Sequence, residues 1–324
     1  VTVTDGEEAF GAHSFHALHI ASDGTIYVSW LGSPPRPAKV IASNASETPM
    51  KMASMQQGDT SHAQHHMPAS GSPKTGSWIA RSTDGGKSFT PRVRVDTGEA
   101  CPCCRTALAS GKDGALYMAW RHVHPGNIRD VVVSKSTDHG ATWSDLMRVH
   151  ADDWKFDGCP HAGPSMAVDS SGAIHIAWWT GKEGNAGVFY ARSGNGAKTF
   201  DTPIPLGVAQ ASRPAHVQLA VAPSGRVVVA WDDGTKQIPQ ILVRASRDAG
   251  RSFSEATTLS SVGRAATFPV LGIAGDSLSV LWSEESEAVA KAAAVEAAAR
   301  DPKAPKGLHA VGEAQVVMRR GAFR

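Results

Sequence analysis

LASGKDGALYMAW (residues 108–120) reads as two short strands joined by a tight turn. Apolar residues alternate on either side of an Asp-Gly pair, the pattern of a half-buried hairpin. Four more stretches share this shape and end on tryptophan: HIASDGTIYVSW at Trp30, MAVDSSGAIHIAW at Trp178, LAVAPSGRVVVAW at Trp231 and LGIAGDSLSVLW at Trp282. The first four of the five units continue into a second hairpin: IARSTDGGKSF, VSKSTDHGATW, YARSGNGAKTF and VRASRDAGRSF. Its Asp or Asn bonds the local backbone, Gly supplies positive φ, and the aromatic anchors the return strand. Two hairpins make a four-stranded unit. From Trp120 onward the tryptophans are 58, 53 and 51 residues apart. A unit of that size cannot bury a core alone, and radial stacking of four-stranded sheets solves the problem. The sequence therefore predicts an all-β fold, a single β-propeller domain over residues 1–324 with antiparallel four-stranded blades. Five units are counted, which favours five blades and leaves six open. The last unit lacks a full outer strand, which residues 1–4 could supply beside residues 315–319.

The second hairpin's pattern, Ser-x-Asp-x-Gly-x-x-Phe/Trp, resembles the Asp-box (BNR) repeat of the sialidase-like propellers. The likeness runs over almost the whole chain, with Asn195 replacing Asp in the third copy. It implies the propeller fold; sialidases themselves have six blades. Asp-boxes are structural turns, so the likeness says little about activity. A sialidase would need an Arg cluster for the substrate carboxylate, a tyrosine nucleophile with a glutamate partner, and an aspartate acid/base. Arg105, Arg213 and Arg264 stand at comparable strand starts in three blades and are anion-binding candidates. Tyr27, Tyr117 and Tyr190 are the only tyrosines. The first two occupy repeat positions that read as blade packing, and Tyr190 lies in a third strand away from the axis. With no tyrosine left as nucleophile, a member of the family that is not a sialidase is the expectation.

Composition narrows the class further. A net charge of +2 with scattered Lys and Arg offers no basic surface for nucleic acid. No apolar run approaches the roughly 20 residues that span a bilayer. The first residues, VTVTDGEE, have neither a basic start nor an apolar core. That leaves a cytosolic chain or one whose signal peptide has been removed, and the second option, a periplasmic or secreted protein, fits the ligand set below.

Three of the four cysteines crowd into EACPCCRT as Cys101, Cys103 and Cys104; Cys159 lies in GCPH, two positions before His161. Residues 50–67 add Met50, Met52, Met55 and Met67, half of the chain's methionines, with His62, His65 and His66. In a propeller these segments share one face. Turns inside each hairpin point one way, while connections between hairpins and between blades point the other. The Met/His segment falls in an insertion between the two hairpins of the first unit (residues 31–77). The cysteines and His161 precede the innermost strands of the second and third blades, and His122 and His124 follow the second strand of the second blade. His13 and His16 fall near the same rim, and His19 within a strand.

Thiolates and thioethers are soft ligands that select Cu(I), imidazole suits both copper states and zinc, and methionine binds hard ions poorly. The expected ligands of a copper site are therefore Cys101, Cys103, Cys104, Cys159, His161, Met50, Met52, Met55, Met67, His62, His65, His66, His122 and His124. The expected function is copper handling, resistance or delivery, with Cu(I) as the bound ion and a periplasmic protein as transfer partner. The alternatives are a sialidase-like glycoside hydrolase and a non-catalytic scaffold in which Cys101 or Cys103 bridges to Cys159. Residues 283–307, rich in alanine, with Ser283 as cap and Pro302 near the end, read as a short helical insertion on the same face.

Overall fold

The computed structural model describes residues 3, 13–32, 75–208, 214–235, 238–275, 277–286, 288 and 314–322. They form five antiparallel sheets arranged as the blades of a propeller. Blade 1 holds β1 (His13–Ile20), β2 (Ile26–Gly32), β3 (Gly76–Ser82) and β4 (Val93–Arg94). Blade 2 holds β5 (Glu99–Ala100), β6 (Ala107–Ser110), β7 (Leu116–His124), β8 (Ile128–Ser136) and β9 (Met147–Arg148). Blade 3 holds β10 (Ser165–Val168), β11 (Ile174–Thr180), β12 (Gly187–Ser193) and β13 (Ile204–Val208). Blade 4 holds β14 (Val217–Val221), β15 (Val227–Asp233), β16 (Gln240–Ser246) and β17 (Thr257–Thr258). Blade 5 holds β18 (Arg264–Ala274), β19 (Ser277–Ser286) and β20 (Gln315–Ala322), three strands among the described residues.

The repeated tryptophans explain why the units need each other. Trp120 packs against Tyr27, Leu31 and Ile79 of blade 1, and Trp178 packs with Ala107, Tyr117 and Val131 of blade 2. Trp231 joins Trp179 and Val188 of blade 3, and Trp282 joins Ile241 of blade 4. These four second-strand tryptophans thus fill the seams toward the preceding blades, where their large apolar area leaves water.

The second hairpins close as the sequence predicts. Ser82 Oγ donates to Asp84 Oδ1 (2.7 Å), which also accepts the N–H groups of Lys87 and Ser88. Ser136, Asp138 and Thr142 repeat this network, as do Ser246, Asp248 and Ser252. Hydrogen bonds from Thr142 hold the Asp138 carboxyl down to about 2. Asn195 keeps the turn: its Oδ1 accepts from Thr199 N–H while its Nδ2 donates to Thr199 Oγ1 (2.8 Å).

Two details differ from expectation. The innermost strand of blade 2 is split, with β5 pairing Val123 and His122 while β6 pairs residues 116–119 of β7. The cysteine loop interrupts that strand at its rim. Residues 283–286 continue β19 rather than opening a helix, so Ser283 is a strand residue paired with Thr267 and Val316. Of the rest of that insertion only Ala288 is described, and it is helical; residues 1, 2 and 4 of the expected outer strand lie outside the described residues, and Val3 is a bend. No helix among the described residues is long and apolar enough to cross a membrane.

Candidate metal centre

The cysteine loop is pinned from three sides. Ala100 N–H donates to Thr75 O (2.8 Å) of blade 1, Cys101 N–H to Arg121 O (2.8 Å) of β7, and Thr106 N–H to Phe15 O (3.4 Å) of β1. Pro102 stiffens a turn closed by Cys104 N–H on Cys101 O (3.3 Å). The turn brings Cys101 Sγ to 3.0 Å from Cys104 Sγ and 3.7 Å from Cys103 Sγ. All four cysteines are free thiols; the first three are buried and Cys159 is partly exposed. Phe15, Val123 and Cys159 pack around the three.

The second loop arrives between β9 and β10, carrying Cys159, His161 and Ala162. His161 adopts φ 53°, uncommon for a residue with a side chain, and its ring stands 6.0 Å from that of Phe15. Cys103, Cys159 and His161 have their ligand atoms within 4.8 Å of one another, and so do Cys101, Cys103 and Cys104. The two blades therefore bring four thiols and one imidazole to one rim.

Two buried arginines hold the loops together. Arg121 donates to Ala162 O through Nε (3.1 Å) and Nη2 (2.9 Å), to Trp179 O (2.6 Å) and to Arg129 O (2.7 Å). Arg129 donates to Phe156 O (2.8 Å) and to Cys101 Sγ (3.2 Å). Hydrogen bonds from Cys103 and Cys104 hold the Cys101 thiol well below its ordinary range, with the Arg129 and Arg121 charges acting in the same direction. Hydrogen bonding to Cys101 pushes Cys103 up, and burial pushes Cys104 up. One sulfur of the cluster is thus favoured as thiolate while its neighbours keep their protons. Hydrophobic patterning overlooks both arginines, because a charged residue in a strand reads as solvent-facing. The signal available was position: each flanks the hairpin that directly follows the repeat's tryptophan.

The other expected ligands fall elsewhere. Val123 points at the cysteines, so strand alternation sends His122 and His124 to the opposite side of β7. There His122 Nδ1 lies 3.4 Å from Asp96 Oδ2, and the two imidazole rings meet edge-on at 4.6 Å. Met50, Met52, Met55, His62, His65, His66 and Met67 lie outside the described residues. His13, His16 and His19 all belong to β1, and His19 Nε2 meets Ser110 Oγ at 2.8 Å.

Of the anion-binding candidates, Arg105 is partly buried and donates to Val217 O across the ring in blade 4. Arg264 Nε lies 3.7 Å from Glu284 Oε2, and Arg213 is outside the described residues. All three tyrosines are buried; Tyr190 Oη meets His175 Nδ1 at 2.6 Å and Tyr27 Oη meets His139 Nδ1 at 3.3 Å. The sequence reading also missed a pair on the same face. His216 Nδ1 lies 2.7 Å from buried Asp232 Oδ2, beneath the ring of Phe268 at 4.1 Å. Its only sequence signal is an aspartate directly after Trp231.

Comparison with known proteins agrees with the blades. A protein of unknown function from Dyadobacter fermentans DSM 18053 is 20% identical, with a TM-score of 0.58 over 86% of this chain and 74% of that one. The NanB sialidase of Streptococcus pneumoniae is 11% identical, with a TM-score of 0.53 over 86% of this chain and 53% of that one. A family PL25 ulvan lyase is 13% identical, with a TM-score of 0.50 over 84% of this chain and 62% of that one. At these identities the likeness concerns the fold alone, and this chain spans about half the length of the sialidase. No curated protein matches. Residues 67–280 match the family described as BNR repeat-like domain, and with two thirds of its length so matched the chain belongs to that family.

Proposed function

We propose that this propeller binds Cu(I) through Cys101, Cys103, Cys104, Cys159 and His161, and that it serves copper handling, resistance or delivery. The observation that carries the reading is the meeting of four thiols and an imidazole from two blades, with the guanidinium of Arg129 on one sulfur. Thiolates select soft ions, and Cu(I) is satisfied by two or three such ligands, whereas zinc takes four in a tetrahedron. The ligand atoms fall into groups of three, a number that satisfies Cu(I) without a further ligand. The buried guanidiniums offset the negative charge that a metal thiolate centre carries.

The protein acts in the periplasm or as a secreted protein and passes its ion to a protein partner there. The Met and His residues of segment 50–67 support this location, since thioether and imidazole still bind copper where exposed thiols oxidise.

The test is an anaerobic competition of reduced protein against a chromophoric Cu(I) chelator. Tight binding that weakens as pH falls is expected, because protons compete for the thiolates. A Cys103→Ser, Cys104→Ser, Cys159→Ser variant should lose high-affinity binding; full affinity in that variant would end the copper reading. Release of sialic acid from a fluorogenic substrate would favour the hydrolase alternative instead.

A further inference from the structure

The two ligand groups are not equivalent. Cys101, Cys103 and Cys104 are 0%, 1% and 0% exposed, while Cys159 is half-buried and His161 is exposed. Cys103 belongs to both groups. From this we infer that the rim holds two Cu(I) ions in series, bridged by the Cys103 sulfur. The inner ion sits among Cys101, Cys103 and Cys104; the outer one sits among Cys103, Cys159 and His161 and is the position through which copper enters and leaves. The inference rests on the copper reading above and adds its stoichiometry and direction.

Several features point this way. A single ion bound by all four thiols would need their sulfurs around one centre, yet the ligand atoms gather as two triads with one shared member. A thiolate sulfur has lone pairs enough to bridge two soft ions. Charge also balances: four thiolates and two monovalent ions leave a net charge of −2, matched by the buried guanidiniums of Arg121 and Arg129. Binding is an exchange without electron transfer. Each thiol that becomes a ligand loses its proton to solvent as its sulfur forms a bond to copper, and copper stays Cu(I) throughout.

Transfer then needs no opening of the core. An incoming thiol or imidazole displaces His161 or Cys159 first, because these are the ligands solvent reaches. The inner ion leaves only by moving onto Cys103 and the vacated outer pair. The outer ion should therefore exchange faster than the inner one by about tenfold or more, a difference carried in the dissociation rate.

The experiment uses the reduced full chain, loaded anaerobically with Cu(I) and mixed with excess bathocuproine disulfonate. The parent should bind two equivalents and release them in two phases of equal amplitude, with the difference in rate given above. A Cys159→Ser, His161→Ala variant should bind one equivalent, lose the fast phase and release its ion no faster than the parent's slow phase. His161→Ala alone, at an exposed position, should accelerate the fast phase without accelerating the slow one. X-ray absorption of the parent should contain a copper–copper path that the double variant lacks. One equivalent released in a single phase by the parent would overturn the series arrangement while leaving the copper reading intact. So would two equivalents retained by the double variant. Failure of the parent to bind any Cu(I) would overturn both.

Discussion

Gly250→Ala should destabilise the propeller far more than Gly225→Ala, although both glycines hold nearly the same backbone conformation (φ 83° and 81°). At Gly225 an added Cβ meets nothing within 4 Å. That change carries only the left-handed penalty, about 1–2 kcal/mol, part of it offset by the reduced freedom of the unfolded chain. At Gly250 the same Cβ would lie 1.8 Å from Tyr190 Oη and 2.7 Å from Cζ. Tyr190 has nowhere to go. Its hydroxyl is 2.6 Å from His175 Nδ1, His175 Nε2 is 3.1 Å from Asp169 Oδ2, and the phenol ring meets Phe253 edge-on at 4.8 Å. Moving the hydroxyl strands a buried polar group, costing about 1–3 kcal/mol, and crowding the seam costs a similar amount. The expected loss for Gly250→Ala is about 3–7 kcal/mol, against about 1 kcal/mol for Gly225→Ala. Urea unfolding followed by tryptophan fluorescence reads both. Adding Tyr190→Phe removes the closest atom, so the double variant should be more stable than additivity predicts by about 1 kcal/mol or more. Equal losses at the two glycines, or strict additivity in the cycle, would refute the claim that the fourth Asp-box turn locks blade 4 onto blade 3 through this phenol.

Arg129→Met keeps side-chain length but removes the cation 3.2 Å from Cys101 Sγ. It should weaken Cu(I) affinity by about tenfold in the chelator assay, and unchanged affinity would deny the guanidinium any part in the site. Burial holds His19, His124 and His175 below the ordinary histidine value. The fold keeps them neutral while the unfolded chain takes up protons near pH 6.5, so stability present above about pH 6.5 is lost as pH falls through their folded values. The melting temperature should drop on acidification from about pH 7 to pH 5, and His175→Gln should flatten that drop. A pH-independent melting temperature would contradict it. Deleting residues 50–67 should leave the far-ultraviolet circular dichroism of the sheets unchanged and lower Cu(I) uptake. Equal uptake would make the Met and His residues of that stretch incidental.

The blades were legible because their signals are local. Alternation around a glycine turn, and a Ser and an Asp two residues apart, fix a hairpin through bonds made within a few residues. The end of β19 was not legible, since Ser-Glu-Glu-Ser after a tryptophan has the composition of a helix start. What makes it strand is tertiary. Glu284 Oε1 accepts Ser261 N–H (3.1 Å), Oε2 faces Arg264, and both Glu284 and Glu285 are buried. No property of the tetrapeptide announces those partners.

The candidate metal site divides along the same line. Residue type marked the cysteines and His161, and blade order brought their loops to one rim without knowledge of any side-chain contact. Which residues face that rim depends on register. Val123 and His122 are neighbours in sequence, yet the pairing of β5 with β7 turns the first toward the cysteines and the second toward Asp96. A one-residue slip in that pairing would exchange them. The same register carries Arg121 inward, where its donors reach Ala162 O, next to His161, and Trp179 O of the neighbouring blade. Burying a guanidinium is costly unless its donors are satisfied and its charge is answered. Carbonyls meet the first requirement for Arg121, and the thiolate centre proposed above would meet the second for Arg121 and Arg129 together. The arginines therefore join the fold to the chemistry: they stitch the two loops into the blades and bring positive charge to where four sulfurs converge.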